Sequence, residues 1–212
     1  MISNLYERRL LDQIQEVPRH VALVVAEKDL NTVEAYKKLG TFTSWCRDIG
    51  ISHVTIYINM LRLGEEVNQK LRSQVIQRVS DSLQFASIAA TIYSQDTQDS
   101  TSSDQAPAVN ISIGYGGKKE LVDAIRSIAQ KVKDKELRAN QISEETVSSH
   151  LIFKEEPELV IRTGENRLTD FLIWQAVYSE LYFTEVNWTN FRRMDLLRAI
   201  RDYQKRQQRH GL

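Results

Sequence analysis

An α/β domain built on a mainly parallel sheet is the fold class this sequence predicts. Two observations carry that expectation. Short apolar runs alternate with amphipathic stretches along the chain, the order that strand–helix–strand units produce. Residues 21–25, VALVV, form an uninterrupted apolar run, the mark of a strand buried on both faces. A chain of 212 residues is long enough for one large domain with a sizeable core, so residues 1–212 are read as a single unit. No internal repeat is evident.

The elements follow in order. After the first strand, Asn31 is expected to cap a helix, with Glu34 at the capping-box position. Ala35, Leu39, Phe42, Cys46 and Ile49 recur at four-three spacing and make one apolar stripe. Gly50 ends that helix, and HVTIYI, residues 53–58, is the next strand. A charged helix is expected near 65–79 and a strand near 88–93. Residues 94–108, SQDTQDSTSSDQAPA, have almost nothing to bury and are read as a mobile polar loop within the domain. Alternation resumes at Val109, where ISIGYGG enters a helix whose Leu121, Ile125, Ile128 and Val132 are expected to face one side. The remaining elements are a helix near Ser143, a strand over 159–162, a helix through 171–178 and a last helix from about Phe191.

Composition excludes several function classes. Lys+Arg and Asp+Glu each number 28, so no global charge draws the chain to nucleic acid. Positive charge does gather late: Arg192, Arg193, Arg198, Arg201, Lys205, Arg206 and Arg209 stand against Asp195 and Asp202. That stripe is a solvated face or a weak attraction to anionic headgroups. A lone cysteine, Cys46, allows no internal disulfide and reads as a small core hydrophobe. The longest uncharged apolar stretch, 85–93, is about half of the ~20 residues a spanning helix needs. The first residues are too charged for a secretory signal. The expectation is a soluble cytoplasmic protein with, at most, peripheral contact at the membrane face. His20, His53, His150 and His210 show no zinc spacing, and Trp45, Trp174 and Trp188 read as core or interface.

The chemistry concentrates in residues 157–183, PELVIRTGENRLTDFLIWQAVYSELYF. A strand delivers Arg162, a Gly-containing turn follows, and Arg167 and Thr169 stand at the entrance of an apolar stretch. Two guanidiniums, a hydroxyl and free backbone N–H groups make a cradle for a diphosphate. This segment resembles the diphosphate-binding signature of the cis-prenyltransferases, the family of undecaprenyl and dehydrodolichyl diphosphate synthases. Residues 110–121, NISIGYGGKKEL, are similar to a second family segment, whose paired glycines permit a positive-φ turn and close helix–sheet packing. The resemblance implies a central, mostly parallel six-stranded sheet flanked by helices and dimerising through its carboxyl-terminal region. It also implies that Arg162, Arg167 and Thr169 bind isopentenyl diphosphate and that Glu180 contributes to a magnesium site. The turn between the two arginines is one residue shorter than the family pattern.

The amino-terminal half departs from that pattern. Where the family has D-G-N-G-R, with the aspartate on Mg²⁺, this chain has Ala26, Glu27, Lys28, Asp29 and Leu30. Alanine has no oxygen to offer, and Mg²⁺ demands oxygen ligands. The family's G-H-x-x-G keeps only Gly40, and the second strand continues as Asn59-Met60-Leu61-Arg62 in place of F-S-x-E-N-W. Near the end, Arg209-His210-Gly211 resembles the R-x-G that reaches across a family dimer: Arg209 would touch the diphosphate and Gly211 would let the backbone approach.

The implied reading is the non-catalytic subunit of a heteromeric cis-prenyltransferase, inactive when isolated. Its homologous catalytic partner would condense isopentenyl diphosphate onto an allylic diphosphate, with Mg²⁺ held mainly by that partner. Two alternatives stand beside it: an active homodimer with an atypical metal site using Asp29 or Glu27, and a non-enzymatic scaffold that binds isoprenoid diphosphates.

Overall fold

The structure is a computed structural model and describes residues 2–60, 65–94, 98–100, 107–167 and 170–206. Its chain order is α1 (Ile2–Gln13), β1 (His20–Ala26), α2 (Val33–Ile49), β2 (His53–Asn59), α3 (Glu65–Phe85), β3 (Thr91–Tyr93), β4 (Gln98–Ser100), β5 (Ala108–Ile113), α4 (Gly117–Lys133), α5 (Glu144–His150), β6 (Leu159–Thr163), β7 (Glu180–Thr184) and α6 (Arg193–Tyr203). The strands form one sheet in the order β4-β3-β5-β2-β1-β6-β7. Six strands run parallel, as expected, and β4 adds a seventh that pairs antiparallel with β3. Part of the polar stretch 94–108 is therefore ordered at the sheet edge, because backbone pairing with β3 needs no apolar side chains.

Strand β1 lies inside the sheet between β2 and β6, with all seven residues buried. Alternation sends Val21, Leu23 and Val25 into one apolar layer and Ala22 and Val24 into the other. The first layer is built with α2, α3 and α6. Leu39, Phe42, Ile56, Ile58, Val79 and Ile111 in it have zero exposure, so no water-sized void runs beside them. The second layer is smaller: Tyr57 stacks on Phe171 with ring centroids 4.3 Å apart, and Phe153 packs edge-on to Phe171 at 6.1 Å.

Local details refine the expectations. The α2 cap is Thr32 rather than Asn31: its side chain accepts from the Ala35 N–H at 3.1 Å. Gly50 closes the helix at φ +97°, a left-handed conformation that favours glycine. Strand β3 starts at Thr91, three residues late, because the chain turns over Ser87 and the Ile88 N–H bonds back to Leu83. Helix α3 runs on to Phe85. The expected stripe of α4 is rotated: Glu120, Ala124 and Ile128 are buried, while Ile125 is 60 % exposed.

The expected helix over 171–178 is a series of turns with Leu172 at φ +45°. Tertiary contacts override its helical spacing: Trp174 Nε1 donates to Ser148 Oγ at 2.9 Å and Gln175 Nε2 to the Phe153 carbonyl at 2.8 Å. At the amino end, α1 packs on α6 through Leu10 and the Glu7–Arg193 pair at 2.9 Å. Cys46 is buried and free of any disulfide, and burial pushes its thiol pKa up. No described helix is long and apolar enough to cross a membrane.

Candidate functional site

In a parallel sheet the strands all end at one edge, and ligands bind there. Here that edge gathers Ala26, Asn59, Ile113 and the β6 end with Arg162 and Thr163. Arg162 pairs in register with Val24, so its side chain leaves the sheet on the smaller-layer face. Ala26, two residues beyond Val24, presents its methyl to the same face and is buried. An aspartate at 26 would have aimed its carboxylate there; the methyl cannot ligate anything.

Arg162 is 2 % exposed. Its Nη2 donates to Glu165 Oε2 at 2.5 Å, while Nε and Nη1 have no hydrogen-bond partner among the described residues. Buried guanidinium donors without acceptors are costly, so they point to an anion. Glu165 is the pivot of the turn. Its other oxygen, Oε1, accepts from Lys28 Nζ at 3.1 Å, and the bonds to Lys28 and then Arg162 hold its carboxyl below the usual range. Gly164, at φ +72°, anchors that turn by donating to the Thr184 and Val186 carbonyls.

The shortened turn still brings Arg167 to the site. It is exposed and lines a cavity with Arg162, Val24, Phe171, Leu181 and Phe183. The free volume of that cavity is about 20 Å³, room for a water or two. Thr169, Arg209 and Gly211, the other residues expected to touch diphosphate, lie outside the described residues.

Glu180 does not join this group within the chain. It begins β7, paired with Leu159, while Phe183 is the partner of Arg162; three residues of strand separate them by roughly 10 Å. Its carboxylate accepts from Arg206 Nη1 at 3.2 Å. Asp29 Oδ2 lies beside Gly164. Among the described residues no three His, Cys, Asp or Glu side chains gather as a metal site. At position 26 itself the side chain offers no oxygen to Mg²⁺, whose octahedral shell requires oxygens.

Sequence reasoning missed what holds the cavity's walls. Glu120 is buried, and its Oε1 accepts from the Ile152 and Phe153 N–H groups at 2.9 and 2.8 Å. Its Oε2 accepts from Gln175 Nε2 at 3.2 Å. Burial raises its carboxyl pKa against the pull of these donors. A charged residue at a core-facing helix position was the available signal. The glycine pair has a packing role: a Cβ on Gly116 would come within 2.4 Å of the Asp170 carbonyl, and one on Gly117 within 2.9 Å of the Ile173 nitrogen. The positive-φ position is Gly114, not the pair. Asp170 then caps α4, accepting from the Lys118 N–H at 2.7 Å. Gly40, the glycine kept from the altered motif, lets α2 meet Ala86.

A parallel sheet with a buried arginine and apolar walls at its carboxyl edge places the candidate site where α/β proteins hold their ligands. The comparisons make that class specific. The Prenyltransf family model, described as putative undecaprenyl diphosphate synthase, matches residues 26–211. The chain is 33% identical to a tritrans,polycis-undecaprenyl-diphosphate synthase (geranylgeranyl-diphosphate specific) of Methanocaldococcus jannaschii, over 99% of this chain and 89% of that protein. It is 35% identical to isoprenyl transferase 1 of Corynebacterium glutamicum, over 82% and 88%. Among solved structures, a probable undecaprenyl diphosphate synthase from Campylobacter jejuni superposes with a TM-score of 0.70 at 22% identity, covering 94% of this chain and 100% of that one. Lavandulyl diphosphate synthase from Lavandula x intermedia, solved with dimethylallyl diphosphate, gives 0.68 at 22%, covering 92% and 99%.

This chain belongs to the cis-prenyltransferase (undecaprenyl diphosphate synthase) family. The Methanocaldococcus alignment runs over 250 positions against the 212 residues of this chain, so that relative carries segments this one lacks.

Proposed function

We propose that this chain is the non-catalytic subunit of a heteromeric cis-prenyltransferase making a polyprenyl diphosphate. The catalytic partner would be a homologue that keeps the aspartate at the end of its first strand and condenses isopentenyl diphosphate onto an allylic diphosphate. The single observation that carries this reading is Ala26, buried on the Arg162 face at the edge where the family's metal-binding carboxylate belongs. Metal neutralisation of a departing diphosphate is the main electrostatic aid such a reaction has, and an alanine removes its anchor. On this reading Mg²⁺ is held by the partner.

In this proposal the chain supplies Arg209 and Gly211 to the partner's site and stabilises the assembly. It works in the cytoplasm, with peripheral contact at the membrane face.

Co-expression with a family member that retains D-G-N but lacks a terminal R-x-G tests it. The two should copurify, the complex should extend an allylic diphosphate, and Arg209→Ala should abolish extension with assembly intact. The 33% identity to a named synthase across 99% of the chain favours one rival, an active homodimer. Purified chain with allylic diphosphate, labelled isopentenyl diphosphate and Mg²⁺ separates the two: sustained product from the chain alone defeats the subunit reading.

A further inference from the structure

The other half of the sheet edge holds a second cavity with a different lining. Asn59 ends β2 and Gly114 follows β5, joined where the Gly114 N–H donates to the Ile58 carbonyl at 3.1 Å. Helix α3 faces them with Asn68 and Arg72, four residues apart and so on one side of it. Lys118 and Lys119, in the first turn of α4, complete the wall. Gly114, at φ +67°, keeps the floor low: a Cβ there would meet Met60 Cγ at 2.8 Å and stand 3.9 Å from Arg72 Nε. The free volume is about 350 Å³, enough for a small molecule.

This space is separate from the Arg162 cavity. The two share no lining residue. Phe171 walls one and Tyr57 the other, and their stacked rings, 4.3 Å apart, form the partition. Register sets Tyr57 two strands from Arg162, roughly 10 Å across the sheet.

We propose that this cavity binds a small hydroxylated phosphate monoester, with Lys118 and Arg72 at its phosphate and Asn59 and Asn68 at its hydroxyls. Charge accounts for the phosphate. Three cations line the wall against one carboxylate, Asp170. Asp123 neutralises Lys119 through bonds at 2.8 and 2.5 Å, and Asp170 is engaged as the α4 cap, accepting from the Lys118 N–H at 2.7 Å. Those two carboxylates leave one positive charge in excess, and Lys118 Nζ has no partner among the described residues. An ammonium and a guanidinium together suit a phosphate. The amides account for the hydroxyls, since each offers both a donor and an acceptor. A prenyl chain finds no apolar wall here and gains little by leaving water. The ligand class therefore differs from that of the Arg162 cavity, and none of this depends on the subunit reading above.

The test is calorimetric titration of the full chain, in phosphate-free buffer with EDTA, with ribose 5-phosphate, inorganic phosphate and ribose. Ribose 5-phosphate should bind about tenfold more tightly than inorganic phosphate, and ribose should give no heat. Lys118→Met should weaken both phosphate probes about tenfold, the loss of one charge-assisted contact, and Lys118→Arg should restore them. Asn68→Ala should bring ribose 5-phosphate down to the affinity of inorganic phosphate. Arg167→Met, on the far side of the partition, should change nothing. Lys118 is exposed, so its variants should fold, which circular dichroism checks. No heat with either phosphate probe, wild-type affinity in Lys118→Met, or binding lost in Arg167→Met overturns the site. Equal affinity for the ester and the free phosphate overturns the role of the two asparagines.

Discussion

Replacing Glu120 with alanine removes the acceptor that holds three donors at the cavity wall. The Phe153 N–H loses its partner in a buried setting. The Ile152 N–H, on a residue 38% exposed, can turn to water. Gln175 Nε2 keeps its second bond, to the Phe153 carbonyl at 2.8 Å. One stranded donor and two weakened ones cost about 4 kcal/mol, and relief of the buried charge returns about 1, leaving a net loss of about 3 kcal/mol. Glu120→Gln keeps an acceptor for the two backbone N–H groups but turns an amide donor toward Gln175, and should cost about 1 kcal/mol.

Urea unfolding at neutral pH, with the slope unchanged between variants, measures both. The pH dependence adds a second reading. Burial raises the Glu120 pKa, so the folded state takes up this proton before the unfolded chain does. The penalty for its buried charge is full above the folded pKa and shrinks as pH falls through it, so wild type should gain on Glu120→Gln as the solution is acidified. A Glu120→Ala variant within about 0.5 kcal/mol of wild type would refute the wall-pinning role.

Three other expectations are as direct. Gly116→Ala places a methyl against the Asp170 carbonyl and should lower the melting temperature by roughly 5–10 °C; an unchanged melting curve would mean that the 170–173 segment does not pack as described. His20, bonded through Nε2 to Thr55 Oγ1 at 2.8 Å, has its pKa lowered to about 4 by burial and then by His53. The stability from keeping it neutral is complete above its ordinary value of 6.5 and is lost as pH falls toward 4, by up to about 3 kcal/mol; His20→Gln should flatten that part of the pH–stability curve, and parallel curves would contradict it. Cys46, fully enclosed in the larger layer, should resist a thiol reagent in the native protein and react fully in urea; rapid native labelling would show that layer to be open.

Some of this was written locally in the chain. Residues 21–25 are apolar on both faces, and the structure buries both. Gly50 stands where a left-handed residue must close α2, and the stripe from Ala35 to Cys46 is the face that α2 buries. A strand ending in Arg162 identified the diphosphate-binding candidate, and the absence of oxygen at Ala26 needs no coordinates at all. Each of these depends on one residue type or one short period, which is why the sequence alone carried them.

What tertiary structure decided depends on partners far away in the chain. Residues 171–178 have helical spacing, but hydrogen bonds to Phe153 and Ser148 hold them as turns. Glu180 ends up some three strand residues from the Arg162 level because the register of β7 on β6 fixes it there. Lys28 reads as a surface charge until the turn at Glu165, 137 residues on, comes within 3.1 Å. Local pattern reports what a residue prefers; only the assembled sheet brings Lys28 and Arg162 to the one carboxylate of Glu165.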